Sequence, residues 1–364
     1  MSSSSAHGGL PLPIPAPSPS LNLPAWLPPL HASALTLGYV GAFYLSPTIR
    51  RLPKDDVRVM RSRLKVASIA TALGVAGTGL VLWRGLGEKV HPIIRLPQVL
   101  LMLGLPLPYS VPTALTSSWL PLKPGLWEFL SSHLLPAILY PLSLTASLFL
   151  GPLYVEWLEG TLPLPGWASR HVPGEKSNSK GRNAPSATPS AWGKAKAWLK
   201  DWCNLHGLRN FVVGPTTEEL IWRSCILSVS YHSVPRPSYA WLIFGTPLYF
   251  GLAHLHHFYQ SYYLEKRGIK FAALQAGVQF AYTTLFGWYA NWLWLRTGSM
   301  IGPLAAHVFC NVMGLPNPWG AARDHPERKR AIFAAHIAGI GLFAANVVSM
   351  TRPELFGGSL YWRQ

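Results

Sequence analysis

The sequence predicts an all-α fold, a polytopic transmembrane helical bundle of about eight spans with a polar cavity opening to the cytosolic side. Three observations carry the membrane assignment. Only 12% of the 364 residues are charged while 49% are hydrophobic, and a soluble domain carries about twice that charge. Mean hydropathy is +0.21 over the whole chain. Uncharged runs close to the roughly 20 residues that cross a bilayer recur along the sequence, with short basic stretches between them. So few charges cannot coat a soluble globule of this size.

The 31 Lys and Arg against 14 Asp and Glu give a net charge of +17. A balance this basic raises nucleic acid as a partner. The basic residues, however, sit between apolar runs rather than on one amphipathic face, which is the distribution that fixes membrane topology, and nucleic acid is not expected. The three cysteines, Cys203, Cys225 and Cys310, are scattered and form no CxxC pair. Neither a disulfide framework nor a zinc knuckle follows.

Taken in order, residues 1–30 are a flexible segment rich in Ser and Pro, with no Lys or Arg before Arg50. A cleaved signal peptide is not expected without a basic leading region. Residues 31–160 hold the N-terminal transmembrane helices. The first span, 32–49, runs into Arg50, Arg51, Lys54, Arg58, Arg61, Arg63 and Lys65, so its basic end faces the cytosol. Spans at 66–83 and 134–155 follow, and 94–109, broken by Pro97, Pro106 and Pro108, reads as interfacial or re-entrant.

Residues 161–205 form a basic, flexible cytosolic insert, a composition that buries too little apolar surface to order itself. Residues 206–350 form the transmembrane core that carries the polar motifs, with uncharged runs at 239–253, 271–295 and 331–350. Two further spans, 211–230 and 300–315, hold ionisable or polar groups, and 351–364 is a C-terminal tail. Eight spans put the net basic loops 50–65, 167–210, 265–270 and 321–330 on one side.

Ionisable groups inside apolar spans are costly and mark function by default. The first cluster is Thr216-Thr217-Glu218-Glu219-Leu220-Ile221-Trp222-Arg223. On a helix Glu219 and Arg223 are i,i+4 neighbours and can form an ion pair. Glu218 points about 100° away and stays free of that pair, which makes it a candidate base. The same residues also suit plain packing, with both carboxylates on Arg223. The second cluster is Phe250-Gly251-Leu252-Ala253-His254, followed by His256 and His257. His254 closes an apolar helix, where it can assist a base, bind a metal or simply sit satisfied in the core. His256 and His257 read as structural groups at the membrane surface. In the third, His307 and Asn311 are again i,i+4, so both donors face one direction. Two aligned donors suit a developing oxyanion, and equally a helix–helix hydrogen bond.

Glu-Glu-x-x-x-Arg, then Phe-x-x-x-His, then His-x-x-x-Asn, in this order, resembles the intramembrane CAAX prenyl endopeptidases, of the eukaryotic Ras-converting type. The segments at 215–225 (PTTEELIWRSC), 250–257 (FGLAHLHH) and 307–316 (HVFCNVMGLP) carry the likeness, and similar texture runs from about residue 39 to 357. The resemblance implies that Glu218 and His254 polarise the attacking water and that His307 and Asn311 hold the oxyanion. Glu219 and Arg223 would then fix the catalytic helix, and Phe250 would line the site. It implies no cofactor and no metal. It also implies substrates that are farnesylated or geranylgeranylated CaaX proteins, such as Ras-like small GTPases, which lose their last three residues at the endoplasmic reticulum membrane. Three rivals stay open: a zinc protease using His254 and His307, a thiol protease using Cys225 or Cys310, and a non-catalytic scaffold or transporter.

Overall fold

In the computed structural model the described residues are 21–52, 56–87, 92–107, 127–159, 200 and 202–362. The expected flexible segment 1–30 lies outside them up to position 20, and the expected insert 161–205 lies outside them except for 200 and 202–205. Among the described residues the regular structure is helical apart from one parallel pair of two-residue strands, β1 (Leu23–Pro24) and β2 (Ser233–Val234).

The N-terminal helices are α1 (Leu27–Leu45), α2 (Val57–Gly85) and α3 (Pro92–Met102). Next come α4 (Trp127–Leu148) and α5 (Leu150–Leu158). The polar motifs lie on three later helices. A continuous helical run, α6 (205–231), carries the two glutamates, and α7 (241–254) carries Phe250 and His254. A short α8 (256–264) leads to the 29-residue α9 (Ile269–Thr297). Helix α9 stops at Gly298, whose φ of 64° takes the left-handed conformation that ends helices. The chain then turns back into α10 (Ile301–Met313), which presents His307 and Asn311, before α11 (Pro318–Asp324) and α12 (Lys329–Asn346).

Helix α9 lies along α7 and α10, α10 packs on α4 and α6, and α1 packs on α2 and α6. One apolar cluster joins Tyr39 and Ala67 of the N-terminal helices to Ile221, Trp222, Phe250 and Ala253, directly beneath the polar motifs. The close approach of α7 to α9 depends on glycine. A methyl group on Gly251 would stand 2.2 Å from Thr284 Oγ1 and 3.0 Å from the Phe280 ring. Gly251→Ala is expected to cost about 1–3 kcal/mol through overpacking. A thermal melt in detergent should show a lower midpoint, and an unchanged midpoint would mean the two helices can separate freely.

Helices α2 and α4 are long and apolar enough to cross a membrane, and the pair Pro326–Asn346 and Ser349–Phe356, bent by 54°, makes a third candidate. Ile69, Leu73 and Leu80 on α2 are exposed, as lipid-facing side chains would be. Eight spans of that length and hydropathy are therefore not present one for one among the described residues. Two reasons are visible: α7 and α10 are shorter than the 18 residues such a span needs, and α6 carries Glu219 and Arg223, which are buried yet lower its mean hydropathy. The expected tail is packed as far as residue 362. Tyr361 is fully buried, stacks on Trp294 at 4.1 Å, and donates its hydroxyl to the Met102 carbonyl.

Candidate active site

Helix α6 begins at Asn204, whose side-chain oxygen accepts from the Gly207 N–H at 2.9 Å. Two wide turns interrupt the regular ladder, at Leu208–Val213 and Leu220–Cys225, one on each side of the glutamates. Such turns gather at functional sites because the extra residue re-aims the side chains that follow. In the first of them the Gly214 N–H reaches back to the Arg209 carbonyl. Pro215, next in that register, has no N–H to give. The Asn210 carbonyl accepts instead from Asn311 Nδ2 at 2.8 Å, so a gap in the ladder of α6 anchors α10.

Glu219 and Arg223 are both fully buried, with Arg223 Nε 3.2 Å from Glu219 Oε2. The guanidinium lies 4.5 Å from the Phe250 ring centroid and 5.4 Å from that of Phe286. Aromatic faces thus stand where water would otherwise solvate the charge. The other oxygen of Glu219, Oε1, is 2.7 Å from His307 Nδ1. A carboxylate can only accept, so Nδ1 carries the proton and donates it. Glu219 therefore joins α10 to α6 in addition to its pair with Arg223.

Glu218 has no ion pair with Arg223; its Oε2 is 3.7 Å from His307 Nε2, and its side chain is 23% exposed. That exposure is to a cavity of about 780 Å³ lined by Glu218, His254, His307 and Asn311. His254 Nδ1 is 2.8 Å from the Phe250 carbonyl oxygen. A carbonyl cannot donate, so the proton sits on Nδ1 and the neutral ring offers its Nε2 lone pair. Phe250 packs edge-on to His254 at 4.7 Å and fixes the ring plane.

All seven residues singled out in the sequence thus gather at one cavity. Glu218, Phe250, His254, His307 and Asn311 stand on its wall, and the buried Glu219–Arg223 pair supports it from behind. His256 and His257, expected as surface groups, line the cavity too, with ring centroids 4.0 Å apart. Sequence reasoning missed Phe286, whose ring is 4.8 Å from that of His307, and Tyr39, whose hydroxyl is 2.9 Å from Thr217 Oγ1. Phe286 is one of many aromatics on α9, and Tyr39 lies 178 residues from its partner. Neither carries a local signal.

Cys225 is buried in an apolar cluster with Leu82, Leu86 and Val229, whereas Cys310 lies on the cavity wall. Among the described residues no three His, Cys, Asp or Glu side chains are grouped as a metal-binding set.

A family model described as type II CAAX prenyl endopeptidase Rce1-like matches residues 200–313, a stretch that holds every one of the seven residues. A Homo sapiens protein named CAAX prenyl protease 2 is 30% identical over 335 residues, 92% of this chain and 84% of its own length. An Arabidopsis thaliana protein of the same name is 34% identical over 236 residues, 65% of this chain and 70% of its own. A Schizosaccharomyces pombe protein named probable CAAX prenyl protease 2 is 38% identical over 135 residues, 37% of this chain and 49% of its own. No solved structure matches the chain significantly.

Proposed function

The chain belongs to the Rce1-like type II CAAX prenyl endopeptidase family, and on that premise we propose that it removes the C-terminal aaX tripeptide from prenylated CaaX proteins. It is a membrane protease of CAAX processing. The finer reading is that Glu218 and His254 activate a water in the cavity, while His307 and Asn311 bind the oxyanion. Substrates would be farnesylated or geranylgeranylated proteins such as Ras-like small GTPases, reached from the cytosolic side of the endoplasmic reticulum membrane by a bundle of about eight spans.

The observation that carries the reading is one carboxylate, Glu218, facing a cavity of about 780 Å³ beside a second, Glu219, that is already spent on Arg223 and His307. The paired carboxylate holds the framework and the free one is available to take a proton. As the water oxygen bonds to the scissile carbonyl carbon, its proton passes to Glu218, and the Nε2 lone pair of His254 orients the other O–H. The carbonyl π electrons move to oxygen, where donors are needed. Asn311 Nδ2 has a second N–H beyond the one given to Asn210, and His307 can donate from Nε2 when the ring holds both protons. Collapse of the tetrahedral intermediate breaks the C–N bond, and the proton on Glu218 leaves with the amine of the tripeptide. The prenylcysteine becomes the new C-terminal carboxylate.

Purified protein in detergent should release the intact tripeptide from a farnesylated peptide ending in Cys-a-a-X, read by mass spectrometry. A zinc chelator should leave the rate unchanged, and so should replacing Cys225 and Cys310 together by Ala. Activity abolished by chelator and restored by zinc would replace this mechanism with a zinc protease. Absence of any cleavage by folded wild type would favour a scaffold.

A further inference from the structure

We propose that Tyr39 of α1 is a positioning residue for the catalytic base, holding Glu218 toward the cavity through Thr217. The proposal rests on the peptidase reading above. It extends the active site beyond residues 200–313, the stretch that the family model matches.

The part of α6 that carries the two glutamates is short. Between the wide turns Leu208–Val213 and Leu220–Cys225, just six residues, Gly214–Glu219, take regular α-helical turns. No long regular ladder fixes the rotation of so short a segment, so its facing depends on what its side chains hold. Successive residues on a helix point about 100° apart. Thr217 and Glu219 therefore leave the axis on opposite flanks of Glu218. On one flank, Glu219 is tied to α10 by His307 Nδ1 at 2.7 Å. On the other, the buried Thr217 meets the Tyr39 hydroxyl of α1 at 2.9 Å. With a tie on each flank, the side chain between them is aimed at the cavity, which Tyr39 and Glu218 both line.

The bond to Tyr39 has a fixed direction. Thr217 Oγ1 is 2.8 Å from the Val213 carbonyl oxygen and 3.0 Å from that of Gly214. Carbonyls only accept, so the single hydroxyl proton of Thr217 goes to them and its oxygen accepts from the Tyr39 O–H. The Tyr39 ring is held separately, edge-on to Trp222 at 5.0 Å and to Phe43 at 5.5 Å. Tyr39→Phe keeps that packing and removes only the tie.

The test is the steady-state rate on a farnesylated peptide ending in Cys-a-a-X. Tyr39→Phe should lower kcat about 10-fold with KM within about twofold of wild type, since a misdirected base slows the chemical step and leaves the peptide bound as before. Thr217→Val, which removes the acceptor, should lose a similar factor, and Thr217→Ser, which keeps the hydroxyl, should recover most of it. Tyr39→Phe combined with Thr217→Val should be no slower than the slower single variant, because both cut the same bond. A thermal melt accompanies each variant. If Tyr39→Phe fails to fold, the comparison of Thr217→Val with Thr217→Ser decides alone. The proposal is overturned, and the peptidase reading left intact, by a Tyr39→Phe kcat within about twofold of wild type or a loss carried by KM. Equal rates in Thr217→Val and Thr217→Ser, or losses that multiply in the double variant, overturn it as well. Absence of cleavage by wild type removes the peptidase reading and this proposal with it.

Discussion

Glu218→Gln should lower kcat for tripeptide release by about 1,000-fold or more, with little change in KM and an unchanged melting temperature. The substitution keeps the shape of the side chain and its place on the cavity wall, and removes only the ability to hold the water's proton. General base catalysis is worth roughly 100- to 10,000-fold. In the proposed scheme Glu218 acts twice, taking the proton from water and returning it to the leaving amine, which places the loss toward the upper end. Because Glu218 has no ion pair with Arg223, the substitution leaves the Glu219–Arg223 framework pair intact and weakens only the 3.7 Å contact to His307 Nε2. The measurement is initial rate against substrate concentration, paired with a thermal melt of the same preparation. A variant that keeps more than a tenth of wild-type kcat would falsify the assignment of Glu218 as base. His254→Gln is expected to act more mildly, since it orients the water without holding the transferred proton.

What the sequence makes legible is what helix periodicity encodes. Glu219 and Arg223, His307 and Asn311, and Phe250 and His254 each fall four residues apart, so each pair shows in the spacing alone. The contacts that assemble the cavity are of another kind. His307 meets Glu219 across 88 residues, and Asn311 meets Asn210 across 101. No local pattern specifies either; they need α10 to pack on α6. The bond from Asn311 also depends on Pro215, which is readable as a helix irregularity but not as an anchor for a distant amide. Spanning segments are legible where a long stretch of the helix is uncharged, as over residues 66–83 of α2. Where polar groups face inward, as on α6, an average over the window hides the direction in which each side chain points. The packed end of the chain, with Tyr361 under Trp294, gives no signal beyond a few aromatics near the terminus.

Arg223→Met should be the most destabilising single change at the site. It leaves the Glu219 carboxylate fully buried, with His307 Nδ1–H as its remaining hydrogen-bond donor among the described residues. Breaking one side of a buried pair costs about 3–5 kcal/mol, because the remaining charge has lost both water and partner. The ring faces of Phe250 and Phe286 also lose the cation they flank. A melt in detergent should fall by roughly 5–10 °C, taking the shift per kcal/mol expected for a chain of more than 150 residues. Combining it with Glu219→Gln removes the orphaned charge, so the double variant should melt higher than Arg223→Met alone, a non-additivity that marks direct coupling. Activity should not return with stability. His307 Nδ1–H donates to the Glu219 carboxylate at 2.7 Å, and a neutral amide holds that proton less firmly, which loosens the ring that faces Glu218. A double variant no more stable than Arg223→Met would mean that the pair is not energetically linked, and recovery of full activity in it would mean that Glu219 serves Arg223 alone and not His307.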